Sequence, residues 1–182
     1  MKISEIRLPI VFLKPGELHI GADHVAVHTV LGSCVSVTMY NRQRGLSAMC
    51  HGLLPNCNSD CGSCPEKLQY VECSIVHMIN WFYKAGVDKS EIETKLFGGG
   101  DVIDYSRHRC VSSTPLVRRR QSVGCQNISA ALKALDEAGF TISAKDVGGN
   151  SGRKMFFFTD TGEVLLKKIR KTCTSNKPQM AY

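Results

Sequence analysis

Residues 34–40 alternate strictly. Val35, Val37 and Met39 fall on one face, and Cys34, Ser36, Thr38 and Tyr40 on the other, which is the period-2 signature of a half-buried strand. The polar, glycine-ended run Asn41-Arg42-Gln43-Arg44-Gly45 reads as a turn, and residues 46–54 read as a second strand. A turn centred between Arg42 and Gln43 sets Val35 opposite Cys50, Val37 opposite Ala48 and Met39 opposite Leu46, so that one face is apolar throughout. On the other face Ser36 meets Met49, Thr38 meets Ser47, and Cys34 meets His51. A turn centred one residue later would, on this reading, carry His51 off that face, so the apolar face favours this register.

The same reading extends along the chain. Residues 6–12 form a first strand, Lys14-Pro15-Gly16-Glu17 a turn, and residues 18–20 a short strand. Residues 25–31 lead to a bend at Gly32-Ser33. Residues 68–85 give the clearest helix, with Val71, Ile75, Met78 and Phe82 as its apolar stripe, Ile79 beside it and Gly86 past its end. His77 is an ordinary residue of that helix. Lys95-Leu96-Phe97 is a strand, and Gly98-Gly99-Gly100-Asp101 must be a loop. A glycine triplet without a following Lys-Ser/Thr is no phosphate-binding loop; close backbone packing beside the hairpin is the better expectation. Residues 104–120 are polar and basic, a long surface loop. A second helix opens at Ser122 or Gly124, carries Ile128, Leu132 and Leu135 on one face and stops at Gly139. Phe140, Ile142 and Ala144 alternate as a strand, residues 146–152 form a glycine-rich turn, and residues 154–169 close the domain as a hairpin. These segments predict a single α+β domain over residues 1–171, an antiparallel or mixed sheet with helices on one side, followed by a polar tail at 172–182.

Composition narrows the possibilities. The chain has 182 residues, 43% of them hydrophobic and 21% charged, ordinary values for a soluble domain with a real core. No apolar run reaches a membrane span and no secretory leader is evident, so the expectation is a cytoplasmic protein without membrane insertion. Nine cysteines are an odd number, and in a cytosolic chain reduced thiols are expected. The net charge of +7 comes largely from Arg107-His108-Arg109, Arg118-Arg119-Arg120 and residues 167–171. No stacking-aromatic or helix-turn-helix pattern accompanies them. Nucleic acid is therefore not the expected partner; the alternatives are a solvated basic face or steering toward an acidic protein surface.

Two groups of residues carry candidate chemistry. Cys57, Cys61 and Cys64, with Cys73 further on, have spacings that structural zinc uses. The competing reading, a variable loop that happens to be rich in cysteine, is preferred, and no metal or cofactor is expected. The second group is the hairpin. Directly opposed residues have Cβ atoms roughly 4.5–5.5 Å apart, close enough for a thiol–imidazole hydrogen bond between Cys34 and His51. A thiolate is the nucleophile and needs a base beside it. Gly32 and Ser33 let the backbone come close to a substrate, and nearby N–H groups could hold an oxyanion. The alternative is a small buried cysteine and a strand histidine with no joint role.

Several stretches, in order, resemble the CheD family of chemoreceptor glutamine deamidases. They are His28-Thr29-Val30-Leu31-Gly32-Ser33-Cys34-Val35, Ala48-Met49-Cys50-His51-Gly52-Leu53-Leu54-Pro55, Lys95-Leu96-Phe97-Gly98-Gly99-Gly100, Gly124-Cys125-Gln126-Asn127-Ile128 and Asp146-Val147-Gly148-Gly149-Asn150-Ser151-Gly152-Arg153-Lys154. The resemblance implies a layered α/β/β sandwich and hydrolysis of glutamine side chains on methyl-accepting chemotaxis receptors to glutamate and ammonia. It implies Cys34 as nucleophile, His51 as base and Thr29 as the third catalytic residue. Hydrolysis of receptor methyl esters through the same thioester is an extension of that chemistry. The resemblance also implies a CheC-type phosphatase as a further partner, and binding it could outweigh catalysis. The protein is expected to act as a monomer.

Overall fold

The computed structural model describes residues 6–57, 67–102 and 122–169. The expected basic loop at 104–120, its arginine clusters, Cys61, Cys64 and the tail at 172–182 lie outside the described residues.

Nine strands and two α-helices follow one another in the described residues. Strands β1 (Ile10–Phe12), β2 (Leu18–Gly21), β3 (Ala26–Leu31), β4 (Val35–Asn41) and β5 (Leu46–Cys50) precede helix α1 (Val71–Lys84). Then come β6 (Glu93–Gly98), α2 (Val123–Glu137), β7 (Ile142–Val147), β8 (Gly152–Phe158) and β9 (Val164–Ile169). They make two sheets, a four-stranded one in the order β1-β3-β8-β9 and a five-stranded one in the order β2-β5-β4-β6-β7. The pairs β1–β3 and β6–β7 are parallel and the others antiparallel.

The two faces of β4 explain the layering. Val35, Val37 and Met39 point to the helices and pack with Ala48, Leu96, Ile75, Met78, Phe82 and Leu135 in one core. Tyr40, on the opposite parity, packs with Met49, Phe97, Val27, Leu31, Met155 and Phe157 in a second core between the sheets. The result is the expected α/β/β sandwich, with helices on one side of the larger sheet and the smaller sheet on the other. β4 is consequently buried along its whole length, and the expectation of a half-buried strand was wrong. Alternation reports two unlike faces; here the polar one, with Ser36 and Thr38 almost fully buried, is covered by the second sheet.

The hairpin register also differs from expectation. Asn41 pairs with Leu46, Tyr40 with Ser47, Met39 with Ala48 and Thr38 with Met49, and an outlying bridge joins Val35 to Gly52. The turn is the four-residue loop Arg42-Gln43-Arg44-Gly45. Gly45 takes φ of 63°, a left-handed value that glycine adopts without a Cβ penalty, and the Asn41 side-chain oxygen accepts the Arg44 N–H at 2.8 Å. These contacts close the loop later than predicted. Moving the centre one residue later shifts the pairing by two, so every side chain keeps its face, and the expectation that such a turn would take His51 off it was wrong.

Helix α2 is corrected in its buried stripe. Gly124, Asn127, Ala130, Ala131, Ala134 and Leu135 are buried, while Leu132, expected on that face, is 37% exposed. Small residues permit close approach to the sheet and to the glycine loop after β6, and the large aliphatic residues misled the reading. The start at Ser122 held, since its hydroxyl accepts the Cys125 N–H at 3.3 Å, a normal N-cap.

The turn between β7 and β8 is held by Arg153, which is 3% exposed. Its Nε and Nη2 donate to Asp146 Oδ1 at 2.8 and 2.6 Å. Nη2 also donates to the Gly148 carbonyl at 2.8 Å, and Nη1 to Ser151 at 3.2 Å. Burial works to raise the Asp146 pKa, but the bonds and charges of Arg153 and Lys168 outweigh it and leave it lowered. Asp146 would stay partly exposed and beside Lys168, so Arg153→Met should cost about 1–3 kcal/mol of stability, the range for a lost hydrogen-bond partner, seen as a lower urea midpoint at unchanged m-value. A depressed carboxyl contributes above its unfolded pKa and loses that contribution as pH falls through its folded value. The gap between wild type and Arg153→Met should therefore narrow below pH 3.8.

Candidate active site

Three elements bring the expected site residues together at one end of the layer between the sheets. Thr29 lies on β3 between Val27 and Leu31, both of which face that layer. His51 follows β5, two positions beyond Met49, which faces the same layer. Cys34 precedes β4 and packs against the same core. Thr29 and His51 are buried, whereas Gly32, Ser33 and Cys34 are only half-buried. The thiol is thus at the open edge of the layer and the imidazole behind it.

The imidazole is fixed from both ends. Its backbone is held by Gly16 N–H donating to the His51 carbonyl at 2.8 Å and by His51 N–H donating to the Glu17 carbonyl at 3.1 Å. Its Nδ1 lies 2.7 Å from Thr29 Oγ1, and Thr29 Oγ1 lies 2.7 Å from the Leu13 carbonyl. A hydroxyl has one proton and a carbonyl has none to give. Thr29 must therefore donate to Leu13 and accept from Nδ1–H. The neutral ring then carries its lone pair on Nε2. That atom is buried and has no hydrogen-bond partner among the described residues.

Cys34 and His51 are not directly opposed, because the register places Leu53 across from Cys34 and Ser36 across from His51. They share a face as diagonal neighbours, a spacing of roughly 7–8 Å or somewhat less between Cβ atoms. Side-chain rotation is needed to bring thiol and Nε2 together, and catalytic hydrogen bonds are often long before substrate binds. Burial pushes the Cys34 thiol pKa up, opposed by its own backbone N–H. Burial also pulls the His51 pKa down, opposed by the Leu13 carbonyl and the Glu17 charge. Both directions favour a neutral thiol beside a neutral imidazole at rest.

The glycine triplet clasps the loop that carries Cys34, as its composition suggested. Gly99 N–H donates to the Cys34 carbonyl and Gly100 N–H to the Gly32 carbonyl, each at 2.7 Å. At Gly98, φ is 108° and a Cβ would collide with the Cys34 carbonyl oxygen. Asn127, on α2, donates from Nδ2 to the carbonyls of Ser33 and Leu53 at 3.0 and 2.8 Å. Residue-by-residue reading gave Asn127 no role; its signals were its place in the family-like stretch 124–128 and a polar residue within a stripe of small ones. Cys57 is half-buried and Cys73 buried. Among the described residues no group of three His, Cys, Asp or Glu is placed to hold a metal ion. No helix there is long and apolar enough to cross a membrane.

The family model described as CheD chemotactic sensory transduction matches residues 53–168. A Geobacter sulfurreducens protein named "Probable chemoreceptor glutamine deamidase CheD 2" is 40% identical over 166 residues, covering 91% of this chain and 94% of its own. The chain belongs to the CheD family. A second relative, from Maridesulfovibrio salexigens and named "Probable chemoreceptor glutamine deamidase CheD", is 36% identical over 172 residues, 92% of this chain and 95% of its own. A solved structure, the Bacillus licheniformis hypothetical protein YfiH, is similar at 12% identity and a TM-score of 0.42, covering 66% of this chain and 46% of that one, a likeness too slight to bear on function. The CheD motifs that were dispersed along the sequence converge in the fold: the segments around Thr29, Cys34, His51, Gly99 and Asn127 touch one another through the bonds above.

The Thr29 bond makes two outcomes expected. Thr29→Val should slow iodoacetamide alkylation of Cys34 near neutral pH by about tenfold or more, read from the mass of the Cys34 peptide, and Thr29→Ser should largely preserve it. His51 has a folded pKa below its ordinary 6.5. The unfolded chain therefore takes up the proton first as pH falls, and stability drops from 6.5 downward. In urea titrations from pH 7 to about 5, His51→Asn should flatten that slope.

Proposed function

We propose that this CheD-family protein is a protein-glutamine deamidase acting on methyl-accepting chemotaxis receptors through a covalent thioester on Cys34. The observation that carries the mechanism is the tautomer set by Thr29, because it leaves the lone pair of a buried imidazole on the ring nitrogen away from the threonine. The names borne by the relatives support the substrate.

In this reading His51 Nε2 takes the Cys34 proton as the sulfur attacks the carboxamide carbon of a receptor glutamine. The new C–S bond forms and the carbonyl electrons move to oxygen. Backbone N–H groups around the nucleophile loop hold that oxyanion. The imidazolium protonates the leaving nitrogen, the C–N bond breaks and ammonia departs. Water then loses a proton to Nε2 and attacks the thioester; the C–S bond breaks, the thiolate takes the proton back and glutamate remains. Thr29 holds the ring through both halves, as the third member of a triad does. Burial suits this sequence, since neither thiolate nor imidazolium accumulates before substrate arrives. The same thioester would form from a receptor methyl ester. The excess of basic residues supports steering toward an acidic receptor surface.

The test is the intact mass of a receptor cytoplasmic fragment incubated with the protein. Wild type should add the mass difference between NH2 and OH at each converted glutamine. Cys34→Ala should add none, and His51→Ala should be slower by about a hundredfold or more. Conversion that persists in Cys34→Ala would remove the thioester mechanism. An unchanged fragment with wild type would remove the deamidase reading.

A further inference from the structure

The ladder between β4 and β5 ends at the bridge between Val35 and Gly52, whose N–H and carbonyl groups exchange bonds at 3.0 and 2.9 Å. Beyond it the strands part. Leu53 N–H turns to the Gln69 carbonyl, and the Cys34 carbonyl turns to Gly99. The two residues proposed to react straddle this parting, Cys34 just past the bridge on one strand and His51 just before it on the other. Asn127 spans the gap. One amide proton of its Nδ2 reaches the carbonyl of Ser33, next to the nucleophile, and the other reaches the carbonyl of Leu53, across the hairpin from the nucleophile. Both acceptors are carbonyls, so the amide orientation is fixed by chemistry. The side chain is fully buried on α2. The helix itself is pressed against the glycine loop that bonds to Cys34, since Gly124 is so close to the Gly99 carbonyl that a Cβ would approach it to 2.5 Å.

We infer that Asn127 is a positioning residue that sets the distance between the Cys34 thiol and the His51 imidazole. It does so by standing in for the ladder bond that the hairpin lacks at its open end. The inference rests on the thiol–imidazole pair proposed above. A diagonal pair depends on this bond more than an opposed pair would. The Cβ atoms begin far enough apart that a further splay of the strands carries thiol and Nε2 out of reach, and misplacement by about 1 Å can cost about 100-fold in rate.

Asn127→Asp keeps the shape but replaces the two donors with an acceptor facing two carbonyls; Asn127→Ala removes the side chain. Leu135→Ala is the control, a buried apolar truncation on the same helix that removes no hydrogen bond to the carbonyls of Ser33 and Leu53. Two readouts are taken. The first is the pH dependence of Cys34 alkylation by iodoacetamide, followed by peptide mass. The second is kcat and KM for conversion of the receptor fragment. Wild type should show an alkylation limb near neutrality that His51→Ala removes. Both Asn127 variants should lose that limb, react only at alkaline pH and lose about 100-fold in kcat with KM nearly unchanged. Leu135→Ala, even at an equal or larger loss in melting temperature, should keep both. If one Asn127 variant does not fold, the other carries the test. Retention of the limb and of kcat in a folded Asn127 variant overturns the inference. So does an equal loss in Leu135→Ala, or a wild type with no limb. The alkylation readout needs no receptor. A wild-type limb without conversion of the fragment would count against the deamidase reading and leave the Asn127 assignment to be decided by alkylation alone.

Discussion

A threonine hydroxyl has one proton, and in this fold that proton is committed to the carbonyl of Leu13. Everything at the site depends on that commitment. It turns Thr29 into an acceptor for Nδ1–H of His51, selects one tautomer, and leaves the lone pair on the other ring nitrogen. The bond joins two sheets, because Thr29 belongs to the four-stranded one and His51 follows a strand of the five-stranded one. It therefore forms only when the layer between them is packed. Met49, Val27, Leu31 and Met155 surround it with apolar volume, and the low dielectric there strengthens the bond and penalises any loss of it.

The rest of the architecture holds the thiol at the rim of that layer without burying it. For the proposed reaction Cys34 cannot sit inside, since a substrate would have to reach it. It cannot sit on a free loop, since the imidazole is immobile. The solution is backbone against backbone. The loop after β6 comes so close to Cys34 that only glycine fits at position 98, and α2 follows with glycine at 124 and alanines behind it. Side chains of ordinary size at these places would push helix and loop away from Cys34. The Arg153 clamp extends the same support outward, because the turn it holds bonds back to Gly98 and Asp101 through Gly148 and Gly149.

Parity was legible in the sequence and register was not. Alternation over residues 34–40 correctly put Cys34 and His51 on one face, since a period of two survives any even shift. The register depended on where a polar five-residue run closes, and the Asn41 side-chain bond that decides it is invisible to hydrophobic pattern. The polar face of β4 was read as a solvent face because one strand cannot show that a second sheet lies over it. The stripe of α2 was misread because the eye follows leucine, whereas the helix approaches the loop through glycine and alanine. Thr29 entered through family resemblance; its physical reason, the Leu13 carbonyl, comes from a residue far from any motif. The roles of Asn127 and Arg153 could not be read from spacing, since each depends on carbonyl groups brought together only by the fold.

Burial gives the site its chemical character and also its dependence on geometry. A reactive cysteine with a depressed pKa works by holding a ready thiolate. Here burial acts in the opposite sense on both partners, raising the thiol and lowering the imidazole. In the proposed reaction charge separation must then be created by proton transfer concerted with attack or immediately before it. Such a transfer is steeply sensitive to donor–acceptor distance, more so than attack by a thiolate already formed. A neutral pair therefore places its demand on scaffolding, and the scaffolding is what this fold supplies: a tautomer fixed by Thr29, a loop clasped by the glycine triplet, and a hairpin mouth bridged by Asn127. The same neutrality keeps the standing thiolate low, so that in the proposed reaction the sulfur becomes nucleophilic only as its proton passes to Nε2.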